Sequence, residues 1–261
     1  MNLKAKIAIK KVVSAAVWVV LIGFAIFALA FSNKQASTLP CAKVNIRVFP
    51  AEIGFYNRQK ILEQLRKDLP AGKKVIGMPL GEINIQQIEE HLSQLDNVEH
   101  AEVFADMQGE LNLHLQQRRP ILRMFRYDGT QFYVDQFGIK MPLSDHFTCR
   151  VPIANGNIFE RLENGDTVYS FVGNEVFKIA SYVDKQPFYK ALIEQIFVNA
   201  DNDMVLVPKI GNHVIIFGDA NQIEIKFKKL LAFYREGMNR IGWSAYKSID
   251  VRFDGQVICK K

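Results

Sequence analysis

The chain has 261 residues and a formal net charge of +6, and its charge distribution limits the partners it binds. Four lysines near the start supply four of the six units and leave +2 for residues 12–261 (Lys4, Lys6, Lys10 and Lys11). So weak a field, with no block of five or six like charges, argues against a nucleic-acid partner. Two short basic runs, Gln117–Arg119 and Lys226–Lys229, are interpreted as solvated faces.

The first predicted element is the uncharged apolar run from Val12 to Phe31. Twenty helical residues span about 30 Å, the thickness of the hydrocarbon core of a bilayer. We therefore predict a cytoplasmic tail over residues 1–11, a transmembrane helix in contact with membrane lipid over residues 12–31 and a linker over residues 32–42. The alternative is a signal peptide cleaved at Ala28-Leu29-Ala30, although its apolar region usually has only about 7–15 residues. Under either interpretation, the rest of the chain is exported from the cytoplasm.

Residues 43–119 predict a small domain with the element order β-α-α-β-β. Alternating apolar and polar residues over Val44–Val48 indicate a half-buried strand. Two helices follow, capped by Asn57 and by Asn84, each with apolar residues at helical spacing. Two strands complete the module: Ala101–Phe104 and a strand with one apolar face (Leu111, Leu113 and Leu115).

Residues 120–261 predict a strand-rich domain that ends in a helix and a β-hairpin, so the overall fold class is α+β. Two helices are predicted, around Glu175–Val183 and over Gln222–Arg235. Turns are predicted at asparagine–glycine pairs and after Ile193–Val198 (Asn155-Gly156, Asn164-Gly165 and Asp201–Asp203). The last hairpin has the strongest signal, an Asp-Gly turn between two alternating runs (Ser248–Phe253, Asp254-Gly255 and Gln256–Cys259).

The sequence contains no motif that is typical of a catalytic, phosphate-binding or metal-binding site. It has no phosphate-binding glycine loop and no GxSxG motif, and its five histidines lack metal-ligand spacing. Ser144-Asp145-His146 is interpreted as a loop, because three adjacent residues point in divergent directions. Asp201–Asp203 is interpreted as a turn, because the glycine and glutamate of a calcium loop are missing. We predict no catalytic residue, cofactor, metal or small-molecule substrate, and no enzymatic activity.

The three cysteines cannot all pair within one chain (Cys41, Cys149 and Cys259). A Cys149–Cys259 disulfide is compatible with an oxidising compartment, and so are two small buried apolar side chains. The sequence leaves this choice open. Pro40 stands where a lipobox carries a small residue, so Cys41 is predicted to keep its thiol.

In their order and spacing, these segments resemble the bacterial cell-division family FtsQ/DivIB. The first module is similar to the POTRA domain of that family, and Leu111–Pro120 is similar to its last strand and the basic-proline corner that follows. Tyr133–Gly138 with Met141–Leu143 is similar to the entry into the family's second domain. Ile249–Phe253 is similar to its D-L-R-Y strand near the C-terminus. The resemblance covers essentially the whole chain.

The resemblance implies a non-enzymatic scaffold of the divisome that links septal cell-wall synthesis to division. Family members bind the small coiled-coil membrane proteins FtsB and FtsL by adding a partner strand to an edge near the C-terminus. A terminal strand has an unpaired edge unless something covers it, which suits this mode of binding. Val257 and Ile258 either contact the partner or close the core, and the sequence leaves this open. The implied partner-binding residues are Phe253, Gln256, Val257, Ile258, Cys259 and Lys260.

The implied location is the inner membrane at the division septum, with a cytoplasmic N-terminus and periplasmic domains over residues 43–119 and 120–261. Two other classes of protein compete with this hypothesis. One is a POTRA-bearing factor for envelope transport, secretion or assembly. The other is an anchored envelope hydrolase.

Overall fold

The computed structural model describes residues 16–24, 26, 38–69, 74–161, 166–238, 242–243 and 245–261. Residues 16–24 and 26 are helical, and all of them are exposed. Among the described residues, no helix combines the length and the apolar character that a membrane crossing requires. The predicted cytoplasmic tail, parts of the predicted span and linker, and the Asn164-Gly165 turn lie outside the described residues.

The described chain divides into two compact units. Unit 1 takes the described residues up to Phe49 together with Tyr56–Gln94 and His100–Gln116. Unit 2 takes Pro50–Phe55, Leu95–Glu99 and Gln117–Lys261.

Unit 1 is built around a three-stranded sheet with two helices, in the predicted order β-α-α-β-β. Its strands and helices are β1 (Lys43–Phe49), α1 (Arg58–Lys67), α2 (Ile85–Ser93), β2 (Val98–Ala105) and β3 (Glu110–Gln117). A short 3₁₀ helix, Leu80–Glu82, precedes α2. The central strand is β3, which pairs in parallel with β1 in the register Val44↔Leu111.

Both predicted helix caps of unit 1 are confirmed. Asn57 Oδ1 accepts a hydrogen bond from Lys60 N at 2.9 Å, and Asn84 Oδ1 accepts one from Gln87 N at 3.1 Å. These bonds satisfy N–H groups that have no partner within the first turn of a helix. The apolar stripes that follow are buried with the central strand (Ile61, Leu65, Ile88, Leu92, Leu111, Leu113 and Leu115).

Unit 2 contains a mixed sheet of nine strands in the order β12-β11-β10-β9-β8-β7-β4-β5-β6. The strands are β4 (Pro120–Phe125), β5 (Gln131–Asp135), β6 (Lys140–Met141), β7 (Ile153–Gly156), β8 (Ile193–Val198), β9 (Met204–Pro208), β10 (Val214–Gly218), β11 (Ser248–Asp250) and β12 (Ile258–Lys260). The helices are α3 (Phe171–Lys185), α4 (Pro187–Leu192) and α5 (Ile223–Ala232), which continues as a π-helical segment, Phe233–Met238.

Helices cross over between parallel strands at two places in unit 2. The strands β7 and β8 are parallel and are connected through α3 and α4, and β10 and β11 are parallel and are connected through α5. Apolar residues of these helices pack against the sheet in one core (Val176, Ile179, Val183, Phe227, Leu230 and Tyr234 among them). The two helices predicted for this part of the chain are confirmed.

The prediction of a turn at Asn155-Gly156 was wrong. These residues form the end of β7, where Gly156 pairs with Val198 of β8. Gly156 has a φ of +99°, and a Cβ atom at this position would lie 2.1 Å from the carbonyl oxygen of Val198. The glycine is therefore needed because two strands approach each other closely here. Glycine is typical of such close approaches as well as of turns.

The interpretation of the two basic runs as solvated faces was only partly right, because Lys228 is exposed whereas other residues of these runs are buried or half-buried. Gln117 is 1% exposed and Lys226 is 6% exposed. Arg119 donates to both carboxylate oxygens of Asp184 at 2.9 and 2.7 Å, and Lys226 Nζ lies 2.7 Å from an oxygen of Asp219. The acidic partners neutralise these charges within unit 2.

A buried ion pair connects the edge of the sheet to the start of α3. Lys140 Nζ lies 3.1 Å from Glu160 Oε1, and both side chains are 0% exposed. Glu160 also accepts hydrogen bonds from the backbone N–H groups of Tyr169 and Ser170 at 3.1 Å each. Lys140 donates a further bond to the carbonyl of Arg161. The pair therefore holds both ends of the connection that leads into α3.

We expect Lys140→Met to lower the free energy of unfolding by about 3–5 kcal/mol, because it leaves the Glu160 carboxylate buried without its cation. The matched control is Lys43→Met, which removes a lysine that is 61% exposed and pairs with Glu110, whose side chain is 31% exposed. That control should cost less than about 1 kcal/mol. Guanidinium unfolding followed by circular dichroism measures both, and equal losses would contradict the assigned role of the buried pair.

Candidate partner-binding edge

The nine-stranded sheet of unit 2 has two outer strands, β6 and β12. The outer side of β6 is covered, because Lys140 N donates to Asp166 O and Val168 N donates to Gly138 O, each at 2.8 Å. In the part of the chain that the structure describes, no strand pairs with the outer side of β12. The sheet therefore presents one open edge, at the strand that the sequence analysis assigned to partner binding.

The backbone of β12 has a defined orientation at this edge. The strand is antiparallel to β11, with Ser248 opposite Lys260 and Asp250 opposite Ile258. Lys247 N donates to Lys260 O at 2.8 Å, so the backbone groups of Lys260 face β11. Because these groups alternate in direction along a strand, those of Ile258 also face β11, whereas the N–H and C=O of Cys259 point away from the sheet.

The side chains of the predicted site separate into two sets. Val257 and Cys259 are partly buried and pack against the core of unit 2. Phe253 and Ile258 are 44% and 38% exposed, and Gln256 and Lys260 are exposed as well. The sequence left open whether Val257 and Ile258 contact a partner or close the core. In the structure, only Val257 packs against the core.

The final hairpin is confirmed, but its strands are shorter than predicted. Asp254 and Gly255 form a turn, as predicted, but this turn lies inside a connection over residues 251–257, so the loop of the hairpin is longer than two residues. Lys229 holds this connection, because its Nζ donates to the carbonyls of Val251 and Phe253.

Arg252 holds the same connection from the sheet side. Its guanidinium lies 2.8 Å from carboxylate oxygens of both Asp250 and Asp203, and the hydrogen bond with Asp250 raises the pKa of Arg252. Asp203 and Lys229 could not be found from the sequence, because each lies more than twenty residues from its partner and no local pattern connects them.

A shallow cleft of about 390 Å³ runs beside the same connection. Ala232 and Phe233, at the end of α5, line one side, and Gly255, Gln256 and Val257 line the other. The cleft gives the open edge an apolar neighbour that can receive a side chain.

Beneath the π-helical segment, a buried histidine meets a buried tyrosine. His213 is 2% exposed, and its Nε2 lies 2.6 Å from the hydroxyl oxygen of Tyr234. The ring of Tyr234 stacks on Trp243 at a centroid distance of 5.3 Å. Burial lowers the pKa of His213 because the charged imidazolium loses its hydration.

A larger cleft of unit 2, about 640 Å³, lies elsewhere, at the start of β4, β7 and β8. It is lined by charged groups of both signs. Among them, Arg119 and Lys190 both form ion pairs with Asp184. Cys149 also lines it, and burial raises the pKa of this thiol to about 11. A thiol with that pKa stays protonated at neutral pH, which makes it a poor nucleophile.

The remaining candidate residues occupy turns and loops. Asp145 and His146 are exposed, and His146 N donates to Ser144 Oγ at 3.4 Å. Asn199 Oδ1 accepts from the backbone N–H groups of Asp201 and Asp203, which makes that segment a turn. All three cysteines are free thiols. Within the described ranges, no group of three histidine, cysteine, aspartate or glutamate side chains is arranged to hold a metal ion.

The two parts of the chain match two different protein families. Residues 39–116 match the POTRA-like domain, and residues 119–260 match the family described as FtsQ/DivIB, C-terminal related. No curated protein matches the chain. The chain thus combines a POTRA-like domain with a domain related to the C-terminal part of FtsQ/DivIB.

The FtsQ/DivIB match extends over more than half of the chain, and this protein therefore belongs to the FtsQ/DivIB family. The resemblance identified from the sequence is confirmed. Membership of this family indicates a role in cell division, in association with other division proteins.

The stability of the protein should depend on the protonation of His213. Its pKa is lowered in the folded protein, so the unfolded chain takes up a proton first as the pH falls below about 6.5. We therefore expect the free energy of unfolding to decrease from about pH 6.5 downward, until the folded pKa is reached. In His213→Gln this decrease should be smaller, whereas His146→Gln, which changes an exposed histidine, should retain it. Urea unfolding at pH 5.5 to 7.5, in steps of about half a unit, measures the difference, and identical pH profiles for both variants would contradict the prediction.

Proposed function

We propose that this protein is a membrane-anchored scaffold of the divisome, which links septal cell-wall synthesis to division by adding a strand of an FtsB/FtsL-type partner to β12. The observation that carries the proposal is the open edge of the nine-stranded sheet, formed by Ile258–Lys260. The family membership supplies the cell-division context.

Main-chain hydrogen bonds provide the affinity in this mechanism. The N–H and C=O of Cys259 point outward and are free to pair with an extended partner. Side chains then provide specificity: Phe253 and Ile258 are exposed apolar contacts, and Gln256 and Lys260 form a polar rim.

Anchoring in the membrane is the second part of the proposal. The described helical residues near the N-terminus carry apolar side chains that are 52–70% exposed, and they point to all sides of the helix (Val17, Trp18, Val19, Val20, Leu21, Ile22, Phe24 and Ile26). A helix that is apolar all round is stable when it is buried, and lipid can bury it. With the lysines of the tail in the cytoplasm, residues 43–119 and 120–261 form two periplasmic domains at the septal inner membrane.

Replacing Cys259 by proline should abolish capture of the FtsB/FtsL-type partner, because proline lacks the outward N–H that the partner strand would accept. The matched control is Cys259→Val, which keeps the N–H and an apolar side chain. Pull-down from membranes of dividing cells measures capture, and circular dichroism verifies that both variants are folded.

Two further variants define the limits of this site. Deletion of Gln256–Lys261 should also abolish capture, and Lys260→Glu should weaken it less, since a rim charge acts mainly on the association rate. Undiminished capture after the deletion would rule out strand addition at β12.

We also expect the chain to remain uncleaved in the cell membrane. Intact-mass measurement of the purified protein should give the mass of all 261 residues, about 29.8 kDa. A mature chain that starts near Phe31 would instead identify the apolar run as a signal peptide.

A further inference from the structure

The segment that leads into unit 1 lies between two turns of that unit. Gly77 N donates to the carbonyl of Cys41 at 2.7 Å, and Ala42 N donates to the carbonyl of Gly109 at 2.8 Å. The entering segment is therefore joined by backbone hydrogen bonds to the turn around Gly77 and to the turn between β2 and β3. These three segments form the entry end of unit 1 (residues 38–42, 74–78 and 106–109).

Each segment of the entry end exposes one large apolar side chain. Met107 is 89% exposed, Ile76 is 62% exposed and Leu39 is 36% exposed. Met107 and Ile76 both stand in turns, where polar residues and glycine are the usual choice. Single exposed apolar residues are common on proteins, but three on segments that are hydrogen-bonded to one another indicate a surface that meets an apolar partner.

The turn between β2 and β3 is held in a fixed position at this end. Asp106 Oδ1 accepts hydrogen bonds from the N–H groups of Gln108 and Glu110 at 3.0 and 2.9 Å. Gly109 has a φ of +80°, and a Cβ atom at this position would lie 3.0 Å from the carbonyl oxygen of Pro40. The glycine therefore lets the turn approach the entering segment closely, and the tip of the turn is presented by a defined backbone.

The length of the chain before unit 1 indicates which partner this surface meets. Leu39 follows Phe31, the last residue of the proposed membrane anchor, by eight residues. Eight residues span at most about 30 Å even when they are fully extended. A lipid surface is therefore within reach of the entry end in every anchored molecule, and such tethering gives it a high effective concentration.

The charged groups of the entry end also suit a lipid surface. Lys74 is exposed beside one apolar turn, and Lys43, at the start of β1, has a side chain that is 61% exposed. Lysine stems can cover apolar groups while their ammonium groups stay at the level of the lipid phosphates. The nearby acids are engaged within the protein, since Asp106 binds its own turn and Glu110 lies 3.8 Å from Lys43.

We propose that the entry end of unit 1 docks on the lipid surface, with the side chains of Leu39, Ile76 and Met107 inserted between the headgroups. The inference rests on the proposed membrane anchor, which brings lipid to this surface, and it does not involve β12. A tether alone leaves the orientation of unit 1 towards the bilayer undetermined. A docked entry end determines it, because three separate segments contact the same surface.

The test uses tryptophan reporters in the full chain, reconstituted into vesicles of phosphatidylcholine and phosphatidylglycerol. The chain has two tryptophans, so Trp18→Phe leaves Trp243 as the background signal. Ile76→Trp and Met107→Trp are then introduced one at a time. In vesicles whose phosphatidylcholine is brominated on the acyl chains, each reporter should lose about half of its emission, because bromine quenches only an indole that has entered the interface.

The matched control is Phe49→Trp in the same background. Phe49 is 55% exposed and lies at the opposite end of β1 from Lys43. Its emission, after subtraction of the Trp243 signal, should be the same in brominated and ordinary vesicles. Circular dichroism verifies that the reporter chains are folded.

A second pair of variants separates docking from mere nearness to the bilayer. Met107→Glu, added to the Ile76→Trp chain, should remove most of the quenching at the other turn, because a carboxylate resists transfer into the interface. Gln108→Glu adds the same charge at the next exposed residue but keeps the methionine, and most of the quenching should remain.

Flotation of the vesicles distinguishes failure of this inference from failure of the anchor. A chain that does not float with the vesicles would overturn the proposed anchor and docking together. A chain that floats but has equal emission in both kinds of vesicle would overturn docking alone. Emission that shifts to shorter wavelength without quenching by brominated lipid would also overturn it, and would assign the entry end to a contact with protein.

Discussion

The structure depends on one constraint, which is that each backbone N–H and C=O at the side of a strand needs a partner. Inside the sheets the neighbouring strand supplies it, and at the outer strands the chain supplies it by different means. Residues 166–168 cover β6, the segment around Met78 pairs with the residues just before β1, and a single glutamate covers part of β2. At β12 the outward groups stay free in the described chain, and this open edge is the basis of the proposed function.

Charge pairs keep connections of unit 2 in fixed positions. In the interior, Glu160 accepts bonds at the start of α3 and neutralises Lys140. At the surface, Arg252, whose side chain is 39% exposed, links the connection before β12 to Asp250 of β11 and to Asp203. Exposed and buried pairs alike contribute little net stability. Their effect is on geometry, and the short strand β12 is presented by a loop that Arg252 restrains.

The fold of unit 1 could be predicted from the sequence almost completely, because its signals are local: Asn57 and Asn84 cap helices within three residues, and Leu111, Leu113 and Leu115 alternate on one strand. Unit 2 was predicted only in part: both long helices and the final hairpin were predicted, whereas β4, β6, α4 and the order of the strands were not. The parallel pairing of β7 with β8 depends on contacts across about forty residues, and Gly156 serves a close approach instead of a turn. The location of the candidate edge came from the hairpin signal and the family resemblance. The direction of each N–H, the covering of the other edges and the contacts of Lys229 and Asp203 required three-dimensional structure.

The orientation of Cys259 has a consequence for how this family should vary in evolution. Its side chain packs inward while its backbone faces outward, so whatever pairs there contacts atoms that nearly every amino acid possesses. Residue identity at this position is then constrained by the core alone, and exchanges among small apolar residues leave the ladder intact. Alanine scanning would report such a position as silent. A surface of this kind is defined by the path of the main chain, so it tolerates any exchange of side chains that the core accepts.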